Sequence, residues 1–197
     1  MVAAVIPAAG ASCRMRFPKG ALRVGGSSLL ELQCDALFQH VERLVVVVGW
    51  ASGLVVRGLP EEVEVVEAPR WWTGTQADSV RLALARLPRG PVLVQPSDVP
   101  PPSVAVVEAL LRAGGSAVPS FQGRRGHPVL LGCQEIERLR VARLPEGLRT
   151  LLRDAREVPV DDPRVTWNLN HPRELARWLR AGLRQDELPG DGRGTTR

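Results

Sequence analysis

Several features that would indicate other classes of protein are scarce in this sequence. There is no tyrosine, and aromatic residues make up only 4% of the chain. The three cysteines are far apart and form no C-x-x-C pair, which argues against a disulfide framework and against a zinc site. No apolar run approaches the roughly 18 residues needed to span a bilayer, and no basic segment follows Met1. We therefore expect a cytoplasmic protein that makes no membrane contact.

The composition is that of an ordinary soluble domain. The 197 residues are 44% hydrophobic and 24% charged, which fits one α/β domain over residues 1–184. Residues 185–197 are polar, glycine-rich and without periodicity, so we expect a disordered tail there. The net charge of +5 comes from 26 Lys and Arg against 21 Asp and Glu, and almost all the cations are arginine, which suits anionic ligands. The arginines are scattered rather than interleaved with aromatics, so we do not expect a nucleic-acid partner.

Short apolar runs alternate with segments of helical periodicity. Runs without polar alternation indicate strands buried on both faces, and this alternation is typical of a mostly parallel sheet with helices on both sides. The predicted strands are residues 3–7, 43–48, 63–66, 91–94 and 116–118. The predicted helices are residues 29–40, 78–87, 103–113 and 172–182. Ligands in such folds bind beyond the carboxyl ends of the strands, so the loops after the strands are the candidate site.

Small residues and two cations follow the first predicted strand. The segment Pro7-Ala-Ala-Gly-Ala-Ser-Cys-Arg-Met is followed by Phe17-Pro-Lys. Small side chains let backbone N–H groups approach phosphate oxygens, and Arg14 and Lys19 can offset the charge of a triphosphate. The segment is neither a Walker A loop nor a G-x-G-x-x-G fingerprint. An ordinary turn that needs Gly10 for its backbone angles is the structural alternative.

Two further polar positions follow predicted strands or precede a helix. Asp98 lies in a proline-rich loop after residues 91–94, where a lone carboxylate suits a Mg²⁺ ion held jointly with substrate phosphates. Alternatively, Asp98 caps the next helix or shapes the turn. Asn170 precedes the last predicted helix, where its side chain suits a helix cap.

The first loop resembles the A-A-G-x-S-x-R-M-x-x-P-K signature of the Rossmann-like nucleotidyltransferases, and in particular it is similar to the molybdenum cofactor cytidylyltransferases. The residues in register are Ala8, Ala9, Gly10, Ser12, Arg14, Met15, Pro18 and Lys19. The resemblance continues in Asp98-Val-Pro, in the segment around Asn170, and in Gly123-Arg-Arg-Gly-His-Pro. It departs at Arg16, where the family usually has glycine, and at His171, where it often has threonine and where we expect a surface position.

This resemblance implies a three-layer Rossmann-like nucleotidyltransferase fold and a Mg²⁺-dependent enzyme. It implies catalytic roles for Arg14, Lys19 and Asp98, and metal binding by Asp98 and Asn170. The nucleotide-binding residues that it implies are Ala8, Ala9, Gly10, Ser12, Arg14, Lys19, Gly74, Gln76 and Ser79. The acceptor-binding residues that it implies are Arg125, Gly126 and His127, for which a solvated surface hairpin is the structural alternative.

The resemblance further implies transfer of CMP from CTP to the terminal phosphate of a molybdopterin acceptor. CTP is implied because an Ala-Ala-Gly start accompanies the cytidine enzymes, and the acceptor is implied by the segment 123–128, which resembles the G-R-R-G-H-P motif of the molybdenum cofactor cytidylyltransferases. Three alternatives stay open: a guanylyl or isoprenoid-pathway transferase of the same fold, a catalytically weak nucleotide- or cofactor-binding paralogue, and an arginine-rich nucleic-acid binder. The first shares the loop and Asp98. The second is suggested by Arg16 and by the uncharged Asn170.

Overall fold

The computed structural model describes residues 2–10, 17–142, 144 and 146–183. The predicted tail of residues 185–197 and the loop residues Ser12, Arg14 and Arg16 lie outside the described residues. Six α-helices and ten strands are described, with short 3₁₀ turns between some of them. The helices are α1 (Leu29–Phe38), α2 (Ser52–Val55), α3 (Gln76–Leu84), α4 (Val104–Ala113), α5 (Cys133–Val141) and α6 (Pro172–Leu183). The strands are β1 (Ala3–Ala8), β2 (Arg23–Val24), β3 (Ser27–Ser28), β4 (Arg43–Val48), β5 (Glu64–Glu67), β6 (Val92–Val94), β7 (Ala117–Phe121), β8 (Arg124–Arg125), β9 (Val129–Leu131) and β10 (Arg156–Pro159).

The main sheet runs in the order β10-β7-β9-β6-β1-β4-β5, and β8 pairs with β7 outside this path. Strands β6, β1, β4 and β5 are parallel neighbours, whereas β9 runs antiparallel between β6 and β7. The expected mostly parallel sheet is confirmed, and β1 lies near its centre, so the loop after β1 opens at the middle of the sheet edge.

Apolar residues cover both faces of the sheet. Along β4, Val45 and Val47 face the core shared with α3 and α5, while Val46 and Val48 face the core shared with α1 and α4. This alternation gives a three-layer arrangement, because each face of a strand has apolar side chains for a helix layer to bury. The expected burial on both faces is confirmed for β1, β4 and β6, but it is wrong for the edge strand β5, where Val66 is the only buried residue and Val65 is exposed.

Two features fix the helix starts that border the sheet edge. Ser28 and Glu31 form a reciprocal capping box at the start of α1, and Thr75 and Asp78 form another at the start of α3. The second box explains why α3 begins two residues before the predicted residue 78. Among the described helices, none is long and apolar enough to cross a membrane.

Candidate active site

The last residues of strand β1 lie at the carboxyl edge of the sheet. Ala8 and Ala9 are buried, Gly10 is exposed, and Ala9 and Gly10 line a cleft of about 840 Å³. Gly10 does not adopt a left-handed φ, and a Cβ placed there would meet no atom within 4 Å. The turn therefore does not need glycine for its backbone angles at this position. The small size of glycine instead keeps the cleft open beside the backbone.

Lys19, Asp98 and Asn170 meet beside this cleft although they are far apart in the sequence. The Lys19 ammonium donates to Asp98 Oδ2 at 3.3 Å and to the amide oxygen Oδ1 of Asn170. The Lys19 side chain is 13% exposed and that of Asp98 is 32% exposed. The backbone N–H of Leu169 donates to the carbonyl of Asp98 at 2.6 Å, which ties the two loops together. The structure thus brings together three of the residues that the sequence singled out.

Lys19 is the only lysine in the sequence, so every other side-chain cation apart from histidine is an arginine. An ammonium is a compact point charge on a flexible stem, whereas a guanidinium is a planar fork that needs more space. The single lysine therefore occupies a position where two oxygen atoms from different loops converge on one small cation.

The Asn170 side chain does not cap α6, because it faces Lys19. The capping is done by Glu174, whose Oε2 accepts from the backbone N–H groups of Asn170 at 2.8 Å and His171 at 2.9 Å. His171 is exposed, in agreement with the expected surface position. The amide oxygen of Asn170 thus remains directed into the cluster with Asp98.

The described residues contain no group of three or more His, Cys, Asp or Glu side chains that could hold a metal ion by themselves. The donor set here is instead one carboxylate and one amide oxygen, both directed at the Lys19 ammonium. Hard oxygen donors of this kind suit Mg²⁺ or Mn²⁺ that is completed by substrate phosphates and water. The chemistry of the pair therefore fits a divalent cation, although its charge is only that of one carboxylate.

The start of α3 forms one wall of the cleft. Gly74, Gln76 and Ser79 all line it, and so do Asp78 and Arg81. Contact of the first three with a nucleotide stays a prediction. Hydrogen bonds from the Thr75 backbone and hydroxyl, together with Arg81, hold the pKa of Asp78 below its usual range. Asp78 therefore stays ionised and closes the helix start.

Trp71 and Trp72 lie edge to face, with ring centroids 5.7 Å apart, but they differ in burial. Trp71 packs against the core and lines the cleft, whereas Trp72 is 65% exposed. Sequence reasoning missed Gly49, where a Cβ would overlap Trp71 and come within 2.6 Å of the Ala9 carbonyl oxygen. Gly49 thus allows Trp71 to pack closely against the end of β1. The only sequence feature that could have indicated this role is the position of Gly49 directly after a buried strand.

The predicted acceptor segment forms a β7–β8 hairpin outside the lining of the cleft. The Arg125 guanidinium donates to the carbonyls of Leu152 and Ala155, at 3.0 and 2.9 Å, and pairs with Glu157 at 3.1 Å. Gly126 is buried, and a Cβ there would overlap the carbonyl of Val165. The structure therefore gives these two residues architectural contacts, and their contact with an acceptor stays a prediction.

His127 lies on the Asp98 side of the hairpin. Its backbone N–H donates to the carbonyl of Val165 at 2.8 Å, and its Nδ1 atom is buried without a partner among the described residues. Burial lowers the pKa of His127, the Asp98 carboxylate acts in the opposite direction, and Arg149 lowers it further. The neutral imidazole is thus favoured, with charges of both signs nearby.

Solved structures share this fold over nearly their whole lengths. Rv0371c from Mycobacterium tuberculosis H37Rv is 23% identical with a TM-score of 0.79, over 91% of this chain and 97% of that chain, and it has also been solved in complex with manganese. A nucleotidyl transferase from Methanothermobacter thermautotroptrophicus, Mth528, is 22% identical with a TM-score of 0.78, over 94% of this chain and 99% of that one.

A third structure, 2-C-methyl-D-erythritol 4-phosphate cytidylyltransferase from Thermus thermophilus, is 21% identical with a TM-score of 0.68, over 93% of this chain and 98% of that one. At these identities the likeness shows the fold alone. No curated protein matches the sequence significantly. The model of the MobA-like NTP transferase domain, however, matches residues 4–160, which is most of the chain. The chain therefore belongs to the MobA-like NTP transferase family of nucleotidyltransferases.

Proposed function

We propose that this nucleotidyltransferase moves CMP from CTP to the terminal phosphate of a molybdopterin-type acceptor and releases pyrophosphate. The observation that carries the proposal is the convergence of Lys19, Asp98 and Asn170 beside the 840 Å³ cleft at the end of β1. A cation, a carboxylate and an amide oxygen at the mouth of a nucleotide-sized cleft are the groups that phosphoryl substitution requires. The preference for CTP rests on Ala8-Ala9-Gly10, and the acceptor rests on the segment 123–128.

Asp98 and Asn170 would hold the divalent cation, with Mg²⁺ as the expected ion. When bound, the cation supplies positive charge to the phosphates of the nucleotide. Lys19 neutralises charge that builds up on the oxygens of the α-phosphorus as the acceptor phosphate attacks and pyrophosphate leaves. No protein nucleophile is needed, because the acceptor itself supplies the attacking oxygen.

The residues at the start of α3 position the nucleotide in this proposal. Gly74, Gln76 and Ser79 line the cleft opposite the end of β1 and can contact base and ribose. Ser79 Oγ lies 3.4 Å from the Thr75 carbonyl, so its hydroxyl contact to the backbone is long and can be exchanged for a ligand contact.

The direct test is pyrophosphate release by the purified protein with each of CTP, GTP, ATP and UTP, with and without molybdopterin. Release with CTP only when molybdopterin is present supports the proposal. Release with GTP, or with methylerythritol phosphate as the acceptor, would assign a different transferase of the same fold. A catalytically weak binding protein, which the uncharged Asn170 favours, would bind a nucleotide without any release.

The role of Lys19 has its own test in single-turnover kinetics. Lys19→Ala should slow the chemical step more than it weakens CTP binding, because the ammonium acts on charge that develops in the transition state. An unchanged single-turnover rate would rule out this role.

A further inference from the structure

The loop that carries Asp98 is poor in hydrogen-bond donors. Four prolines, at positions 96, 100, 101 and 102, flank the carboxylate, and proline has no backbone N–H. Within the loop, the Val99 N–H donates to the Pro96 carbonyl at 3.3 Å, and the other buried carbonyls depend on donors from elsewhere in the chain.

Two glutamine side chains, both with 0% exposure, supply these donors. Gln33, on α1, donates from Nε2 to the carbonyls of Pro96 at 3.0 Å and Val99 at 2.6 Å. Gln95, directly after β6, donates from Nε2 to the carbonyl of Pro100 at 3.1 Å, with longer contacts to the other two carbonyls. Carbonyls on both sides of Asp98 are thereby held from within the core.

The oxygen atoms of the same two side chains destabilise the folded state. The amide oxygens of Gln33 and Gln95 are buried and have no hydrogen-bond partner among the residues that the structure describes. A buried acceptor without a partner destabilises the folded state, so packing alone would favour an apolar residue at both positions. The benefit of the glutamines must therefore lie in their N–H groups and in what these hold.

What they hold is the backbone of Asp98. Gln33 and Gln95 fix the carbonyls around Asp98 from the core side, while the Leu169 N–H holds the Asp98 carbonyl itself at 2.6 Å. With the main chain fixed on both sides, the Asp98 carboxylate points to Lys19 at 3.3 Å.

We infer that Gln33 and Gln95 are positioning residues that hold the Asp98 carboxylate in the geometry for binding the divalent cation. This inference rests on the proposed function, in which Asp98 is a metal ligand. A ligand displaced by even about 1 Å loses much of its contribution, so removal of the donors should act on metal binding and on the chemical step rather than on the nucleotide-binding wall.

The test uses the full chain with Gln33→Met and Gln95→Met, which keep the side-chain length and remove the N–H donors. The dissociation constant of Mn²⁺ in the presence of a non-reactive CTP analogue is measured by electron paramagnetic resonance, together with the single-turnover rate and thermal unfolding. We expect Mn²⁺ binding to weaken by about 10-fold and the rate to fall by about 10-fold or more, with metal-free CTP affinity changed less than about twofold.

The matched control is Cys34→Ala, which removes the thiol of a fully buried residue next to Gln33 on α1 that packs in the apolar core. It should lower the unfolding temperature and leave Mn²⁺ binding unchanged. If Gln33→Met behaves like Cys34→Ala in all three measurements, the glutamine is only structural and the inference is overturned. Should Gln33→Met fail to fold, Gln95→Met gives the same test, because Gln95 follows β6 and donates to the carbonyls of the same loop.

Asp98→Asn distinguishes a failure of the proposed metal site from a failure of the positioning role of the glutamines. If Asp98→Asn abolishes Mn²⁺ binding while both glutamine variants bind normally, the positioning inference fails and the proposed metal site stands. If Asp98→Asn binds Mn²⁺ as tightly as the unmodified protein, the metal site fails and the positioning inference fails with it.

Discussion

Replacing Asn170 by aspartate tests whether this position is a metal ligand. The Asn170 amide oxygen already accepts from the Lys19 ammonium beside Asp98. Asn170→Asp therefore changes the charge of this oxygen donor while keeping the size of the side chain. We expect tighter binding of a divalent cation, because a second carboxylate is added to a site that now has one.

The magnitude follows from the partial burial of the site. Two unit charges about 4 Å apart attract by about 1 kcal/mol in bulk water and by about 4 kcal/mol at an effective dielectric of about 20. With Lys19 13% and Asp98 32% exposed, this site lies between the two limits, and a divalent ion doubles the attraction. The new ion pair with Lys19 and the repulsion from Asp98 affect the metal-free protein in opposite directions. Doubling the bulk-water limit gives about 2 kcal/mol, roughly 30-fold in affinity, and we take this lower limit as the expected scale.

The assay is Mn²⁺ titration of both proteins, and Asn168→Asp is the matched control. Asn168 is exposed on the same segment, two residues earlier, so the control adds the same charge outside the cluster. Equal Mn²⁺ affinity in the two variants would refute ligation by Asn170, because only a general charge effect would then be present.

Three further predictions use other parts of the structure. An amine-acylating reagent should modify Lys19 more slowly when CTP and Mg²⁺ are present, and peptide mass spectrometry can follow this single side chain; equal rates would contradict phosphate contact. Gly126→Ala should lower the free energy of unfolding by about 2–3 kcal/mol in urea titrations, because the new Cβ overlaps the carbonyl of Val165. Burial raises the pKa of Asp162, but hydrogen bonds and the charge of Arg164 outweigh it and leave the pKa below its usual range. The ionised Asp162 therefore stabilises the fold at pH values above its pKa in the unfolded chain, about 3.9, and this stabilisation is lost as the pH falls through the lower pKa of the folded state. In Asp162→Asn, the free energy of unfolding should therefore fall less steeply as the pH is lowered.

The sequence predicted the elements that have strong apolar patterns. The strand 43–48 has the expected bounds, and the helix 103–113 differs by one residue from Val104–Ala113. The helix Cys133–Val141 and the edge strand Arg156–Pro159 were not predicted. The helix buries only Ile136 and Leu139, and the strand buries none of its residues, so neither has a pattern that stands out from a charged loop.

The candidate site shows a similar division. Placement of Lys19 and Asp98 at one edge follows from the rule that loops after parallel strands meet there, whereas Asn170 was singled out only by the family resemblance. The partners of their side chains did not follow, because Asn170 and Glu174 are both chemically suited to cap α6 and only the folded geometry assigns the cap to Glu174. The two glutamines beneath Asp98 could not be identified either, since neither a buried glutamine in a helix, such as Gln33, nor one directly after a strand, such as Gln95, has a sequence signature.

Arg125 and Lys19 differ in how their charges are used. Arg125 spreads its guanidinium over two carbonyls and one carboxylate, all of them protein groups that stay in place. Lys19 instead presents one compact charge to two oxygens that come from different loops. A planar fork bound by several fixed acceptors serves architecture, whereas a flexible ammonium can exchange these oxygens for phosphate oxygens without disturbing the loops. In the proposed function, Lys19 would have to change partners when the triphosphate binds, and an ammonium suits that role better than a guanidinium.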